Sequence, residues 1–369
     1  MPEQLADEHA FVGELVGDRP DAWDRSGELP ADLLHKLGAR GLLCAEVPAS
    51  YGGLGASSRD NGEFTAYVGS LCSSLRSIMT SQGIVAHTIQ RFGDRSQRRQ
   101  FLAELTSGKL AGVGFSEPAA GSDLSAMQTR IQPEGDTFVV NGEKKWLTGS
   151  RYADFLLILG LGGDGAAAAL IPTDTPGLHI DLVADPMGCR AAGHANVRLD
   201  DVRIPAANVL GGGGQSLPML FTTALSYGRM SIAWGCVGII RACLNAAAAH
   251  AKSREQGGVL LSEHQLVRRH LAELLIAEQS STRVCEHASQ AWDSASPDMA
   301  VQAVLAKHVS AGHAARSAAT AVQLLGSAGA QDGHVVARAY RDAKLMELIE
   351  GSNEICQLIL AEHALSISG

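Results

Sequence analysis

The chain has 369 residues, 46% of them hydrophobic and 19% charged, with a formal net charge of −9. That length exceeds the usual single core and implies two or three packed units, while the acidic balance excludes a nucleic-acid partner, whose binders gather Lys and Arg on one face. No window approaches the ~20 uninterrupted apolar residues of a membrane helix, and the opening MPEQLADEHAFVGELVGD is acidic, unlike a secretory or mitochondrial presequence, so a cytoplasmic location is expected.

Residues 1–110 read as an N-terminal α-helical domain: Leu33, Leu34 and Leu37 recur at helical steps, and residues 84–106 repeat the pattern. Within it, EVPASYGGLG (residues 46–55) carries Pro48 and paired glycines and predicts a loop. Residues 111–212 change texture to DTFVVNGEKKWLTG, DFLLILGL, AAAALIP and ANVRLDDVRIP, separated by Gly, Asp and Pro, which predicts a middle antiparallel β-domain. After the glycine run Gly211 to Gly214, Ser216 is a candidate cap and Pro218 suits a first helical turn. Residues 213–369 then form a C-terminal helical bundle domain rich in alanine, whose small side chains let helix axes approach; its last helix is expected near 345–365.

Several features have bland readings. The seven cysteines lack CxxC spacing and read as buried free thiols in a reducing compartment, and no metal site is expected. The basic runs Arg268-Arg269 and Arg338 to Lys344 read as a solvated helix face or a subunit contact. Gly160 to Gly165 matches GxGxxG, but Ala166 to Ile171 is ended by Pro172, so no helix follows and a hairpin turn is predicted instead of a dinucleotide site.

Two stretches and one glutamate carry candidate chemistry. GVGFSEPAAGSD (112–123) offers backbone amides, Ser116 and Ser122 to a polar cofactor edge, or is simply a turn. In NGEKKWLTG (141–149), Trp146 and Thr148 at i, i+2 on a strand share one face, suited to a flat heterocycle; the alternative is a core Trp beside a surface Thr. Glu350 follows Leu348 and Ile349 and precedes Gly351, an apolar tight-turn setting that raises a carboxyl pKa toward that of a useful base; the alternative is a surface glutamate like Glu347 or Glu354.

Together these stretches resemble the paired signatures of the acyl-CoA dehydrogenase family, a TEPGAGSD-like loop and a GxKxWITNG-like strand. EVPASYGGLG, IPTDTPGL, DDVRIPAANVLG and AYRDAKLMELIEGSNEI extend the resemblance over nearly the whole chain. It implies an α+β fold with an N-terminal helical domain, a central antiparallel β-domain and a C-terminal four-helix bundle, with FAD between the last two. By this resemblance Phe115, Ser116, Gly121, Ser122, Trp146 and Thr148 line the FAD, Thr148 near flavin nitrogen-5. Gln265 joins the cofactor set, while Arg254 and Gln323 with Gly326 reach a neighbouring subunit's FAD, which implies a homodimer or homotetramer. Glu350 is the implied catalytic base, Arg229 lies beside it, and Ser226 and Gly351 contact substrate.

The reaction implied is removal of a proton and a hydride from an acyl thioester. Departures matter here. Ser226 stands where many members carry an acid, Gly257 replaces a usual Phe, and Ala192-Gly193-His194-Ala195 lacks the common Ser and Arg. These changes look similar to dehydrogenases of hydroxymalonyl or methoxymalonyl extender-unit pathways, which act on acyl groups held by an acyl carrier protein. The alternatives are a short- or branched-chain acyl-CoA dehydrogenase feeding an electron-transfer flavoprotein, and a flavin oxidase, oxygenase or non-catalytic flavoprotein. His194 is a substrate contact or a solvated loop residue.

Overall fold

A computed structural model describes residues 3–367. Six helices open the chain: α1 (Glu3–Val16), α2 (Pro20–Ser26), α3 (Ala31–Ala39), α4 (Ser58–Leu71), α5 (Ser73–Phe92) and α6 (Arg95–Thr106). Their starts are set locally. Ser57 accepts the Asp60 amide at the head of α4, and Asp94 forms a reciprocal capping box with Gln97 at the head of α6.

Seven strands follow: β1 (Ala111–Gly114), β2 (Arg130–Glu134), β3 (Thr137–Leu147), β4 (Phe155–Leu161), β5 (Ala166–Pro172), β6 (Leu178–Leu182) and β7 (Ala195–Pro205). They make one sheet in the order β1-β4-β2-β3-β7-β6, with β5 paired to β4. Most pairs are antiparallel as expected, but β4 lies parallel to both β1 and β2, because the long 115–129 loop carries the chain from β1 past the position of β4 to β2. The GxGxxG segment is a hairpin turn, with Leu161 opposite Ala166 and the Gly162 amide donating to the Gly165 carbonyl at 2.7 Å.

The last unit contains α7 (Leu217–Ser253), the small hairpin β8 (Glu255–Gln256) and β9 (Val259–Leu260), α8 (Gln265–Asp293), α9 (Met299–Leu325), α10 (Val335–Leu348) and α11 (Asn353–Ile367). Ser216 holds the cap position of α7 without a side-chain hydrogen bond, and Pro218 sits in the first turn. Where one last helix was expected, α10 and α11 are broken at Ile349–Ser352, since Glu350 and Gly351 both have positive φ. Of the basic run Arg338 to Lys344, Arg338 and Arg341 pair with Asp21 and Asp24 of α2, fastening α10 to the first domain, while Lys344 lies on a solvated face.

Helix α7 is long and apolar enough to cross a membrane, yet its middle is buried between α4, α5 and α9, so its hydrophobicity serves the protein core. All seven cysteines are free and buried.

The α4–α7 crossing depends on small residues. Gly62 lies under Trp234, Gly69 against Gly235, and a Cβ at Gly238 would overlap the Ala66 carbonyl. Gly238→Ala should therefore lower the urea unfolding midpoint, by an effect of roughly 1–3 kcal/mol for overpacking. In an exposed helix the same change stabilises by about 1 kcal/mol, so a rise in the midpoint would show that the crossing is loose.

Candidate functional site

The site assembles where the β-domain meets α5, α7 and α10. Glu350 is a half-buried residue with φ 56° in the turn after α10, and Gly351 continues that turn with φ 90°. A non-glycine residue in this region is disfavoured by about 1–3 kcal/mol, so the turn must be held by its neighbours. From α7, Arg229 Nε donates to the Glu350 carbonyl at 3.0 Å. From α9, Lys307, 0% exposed, donates through Nζ to the Gly351 carbonyl at 2.7 Å and, at 3.4 Å each, to the Glu347 carbonyl and Asn353 Oδ1.

With the backbone clamped, the carboxylate is directed at Gly228, where any Cβ would overlap it. Its Oε2 is buried without a hydrogen-bond partner. Burial pushes the Glu350 carboxyl up to about 7, against the opposing pull of Arg229, Lys307 and Arg76. A carboxylate that is desolvated and unbonded yet close to neutrality in pKa is equipped to take a proton.

On the β-domain side, strand β3 does not keep the alternation that would put Trp146 and Thr148 on one face. Lys144 pairs with Val197 and Leu147 with Ala195, so three steps on β3 match two on β7. The extra residue is a bulge, in which Trp146 takes φ 59° and leaves 52% of its surface exposed. Thr148 lies past the end of the strand, and the two residues meet through His194 instead. The Trp146 and His194 rings are 5.6 Å apart, and Thr148 Oγ1 is 3.2 Å from His194 Nδ1. Burial lowers His194 to about 4, so the imidazole is neutral.

The loop carrying Phe115, Ser116, Gly121 and Ser122 is wrapped around a buried ion pair. Lys144 Nζ donates to Glu117 Oε1 at 2.7 Å and to the Phe115 carbonyl at 3.3 Å, and Glu117 also accepts the Gln128 and Thr129 amides. Phe115 is thereby set 6.1 Å from Phe221 of α7, while Gly121 and Ser122 are exposed and a Cβ at Gly121 would meet nothing. An exposed indole, an open glycine cradle and the Ser116 and Thr148 hydroxyls fit a large flat cofactor with a polar edge.

The other expected site residues divide. Ser226 is buried on α7 with its hydroxyl unpartnered, two residues before Gly228. Arg254, Gln265, Gln323 and Gly326 are exposed at helix ends, and at ~1.5 Å per residue Arg254 lies about 38 Å along α7 from Arg229. Within one chain they are therefore not part of this cleft. Sequence reading missed Gly228 and Lys307. The signal for Lys307 was present, as a lysine on the stripe Ala303, Ala306, Ser310, Ala311 and Ala314, all buried positions of α9.

Family models for the N-terminal, middle and C-terminal domains of acyl-CoA dehydrogenases match residues 4–109, 112–202 and 219–365. The chain belongs to the acyl-CoA dehydrogenase family. It is therefore an FAD-dependent oxidoreductase. A probable acyl-CoA dehydrogenase of Bacillus subtilis, YngJ, is 35% identical over 99% of this chain and 100% of its own length. Among solved structures, FkbI, described as serving biosynthesis of the methoxymalonyl extender unit of the polyketide FK520, is 61% identical with TM-score 0.93, covering 97% of this chain and 99% of that one. A Mycobacterium smegmatis glutaryl-CoA dehydrogenase in complex with FADH2 is 26% identical with TM-score 0.92, covering 99% and 95%.

The Lys307 clamp gives a direct test. Lys307→Met leaves two carbonyls without their donor, each worth about 1–3 kcal/mol. Amides of residues 349–353 should then exchange on the order of tenfold faster in hydrogen-exchange mass spectrometry; unchanged protection would mean that Arg229 alone holds the turn.

Proposed function

We propose that Glu350 is the base that removes a proton from the α-carbon of an acyl thioester, and that the acyl group is short, oxygenated and carried by an acyl carrier protein. The observation that carries the first part is the unpartnered, buried carboxylate oxygen of Glu350, in a carboxyl raised to about 7. Arg229 fixes the Glu350 backbone and keeps positive charge beside the carboxylate as it cycles between protonation states. Trp146, Thr148, Phe115, Ser116, Gly121 and Ser122 are the residues that would hold FAD, which when bound supplies the hydride acceptor. His194 orients the Thr148 hydroxyl, and the Lys144–Glu117 pair keeps the 115–129 loop in place.

The substrate half rests on polarity. The Ser226 hydroxyl is buried and unpartnered, Thr80 and Ser231 face each other at 2.7 Å between α5 and α7, and Gly351 approaches Arg229 in the same region. Hydroxyls buried at this depth suit an oxygen-bearing acyl group better than an alkyl chain. The 61% identity to a protein of methoxymalonyl extender-unit biosynthesis supports the same oxygenated-acyl reading. Electrons pass onward to a second acceptor such as an electron-transfer flavoprotein. Arg254, Gln265, Gln323 and Gly326 serve the FAD of a second copy in a homodimer or homotetramer.

Anaerobic mixing of the FAD-loaded enzyme with a short oxygenated acyl thioester on an acyl carrier protein should bleach the flavin, whereas butyryl-CoA should not do so at a catalytic rate. Fast bleaching by butyryl-CoA alone would instead support the CoA-linked alternative. In Glu350→Gln, FAD content should stay unchanged while bleaching disappears; undiminished turnover would falsify the base assignment.

The pH dependence follows from which form of Glu350 acts. Only the carboxylate accepts a proton, and its pKa of about 7 lies above the ordinary carboxyl range. The single-turnover rate of flavin reduction should fall about tenfold per unit below pH 7 and level off above it. A rate already flat from pH 5 upward would exclude Glu350 as the titrating group.

A further inference from the structure

A strongly basic patch lies where α5 ends and α6 begins. Residues 91–99 read RFGDRSQRR, four arginines and one acid in a chain whose net charge is −9. Arg91, Arg95 and Arg99 are exposed, and Arg98 is half-buried with its Nε unpartnered. The acids near them in sequence are engaged otherwise: Asp94 accepts the Ser96 and Gln97 amides as the cap of α6, and Glu104 pairs with Lys109. Among the described residues none of the four arginines pairs with a carboxylate, whereas Arg40, Arg59 and Arg241 each hold a glutamate.

The patch stands at a definite distance from the base. A Cβ on Gly228 would meet Glu350 Oε2 at 2.2 Å and Ile84 Cδ1 at 3.1 Å, so Ile84 of α5 is level with the carboxylate. Ile84 and Arg91 are seven positions apart, which puts them on one face of the helix, two turns or about 10 Å from each other. The positive charge of Arg91 reaches His87, one turn nearer the base. Phe92 and Phe115 pack on the same apolar cluster, which includes Phe221 of α7, so the patch borders the proposed cofactor loop. Gln97 fixes α6 in this place: its Nε2 donates to the Ala207 and Val209 carbonyls, and its Oε1 accepts the Asp94 and Gly211 amides.

We propose that these arginines are the docking surface for an acyl carrier protein, whose acidic face around its phosphopantetheine-bearing serine lies on α6 while the arm enters the cleft beside Arg91. This rests on the reading that the substrate is a carrier-bound acyl thioester. An extended phosphopantetheine arm spans roughly 16 Å at about 1.2 Å per bond. That matches the ~10 Å between Ile84 and Arg91 plus the reach of an arginine side chain. Arg95 and Arg99, one turn apart, share a face of α6, and four guanidinium groups spread over two helices suit an extended acidic surface better than a single phosphate. Because the chain as a whole is acidic, the patch steers such a partner to this face and sets its orientation.

The test uses the FAD-loaded enzyme, an acidic acyl carrier protein loaded with a 3-hydroxypropionyl thioester, and the same acyl group on pantetheine and on CoA. Stopped-flow association of the fluorescently labelled carrier is followed at several salt concentrations, for wild type and for Arg95→Glu/Arg99→Glu, a change at two exposed positions. Charge reversal should slow carrier association about tenfold and flatten its salt dependence, with pantetheine-thioester affinity, FAD content and oligomeric mass unchanged. Changing acids beside the carrier's modified serine to lysine should restore fast binding to the charge-reversed enzyme. Unchanged carrier association, an equal loss for the pantetheine thioester, a loss confined to the CoA thioester, or an altered oligomeric mass would each overturn the docking proposal. A wild-type enzyme that binds the CoA thioester but not the carrier thioester would instead overturn the carrier-protein reading on which it rests.

Discussion

The site depends on one strained turn. Glu350 adopts a left-handed backbone conformation between α10 and α11, and nothing in its own sequence compensates for that. Compensation comes from Lys307 and Arg229, two long cations on different helices whose donors close on carbonyls of the turn. Using carbonyls rather than the carboxylate as acceptors has a chemical consequence. The cations hold the residue in place while Oε2 stays free of hydrogen bonds, so the group keeps the raised pKa that direct ion pairing would abolish.

That arrangement constrains the helices around it. Gly228 must lack a side chain where α7 passes the carboxylate, and the same helix needs Gly235 and Gly238 to clear Arg76 and the backbone of α4. On α9 the clamp lysine emerges from a stripe of small residues, which brings its helix close enough for a buried Nζ to reach three acceptors. The β-domain is tied to this frame by the segment 188–193. Asp342 accepts the Cys189 amide at 2.6 Å, Ser74 Oγ accepts the Ala191 amide at 3.2 Å, and Ala192 and Gly193 accept amides of Gly149 and Arg151. Thr148 and Glu350 therefore belong to one rigid neighbourhood although they are 202 positions apart in sequence.

Local features were legible wherever chemistry is local. The glycine after Glu350 and the apolar residues before it pointed to a desolvated carboxylate in a turn, and the structure has that turn. The Pro172 stop distinguished a hairpin from a dinucleotide-binding helix start, and the hairpin is there. Trp146 and Thr148 both reach His194, but they do not share a strand face as expected. Period-2 alternation holds only for a regular strand, and a bulge opposite Asn196 broke it. The single last helix was misjudged for a related reason, since apolar periodicity ran through a break that two positive φ values impose.

The order of helical and sheet units and the family could be read from the chain alone, as could the turn setting of Glu350, because periodicity, turn residues and motif spacing are properties of neighbouring positions. The environment of each charge, by contrast, is set by packing. Whether Lys307, Arg76 and Lys144 lie in solvent or in the core depends on which helices and strands close over them. A buried cation and a surface cation are the same letter in a sequence; desolvation separates them, and desolvation exists only once the chain has packed.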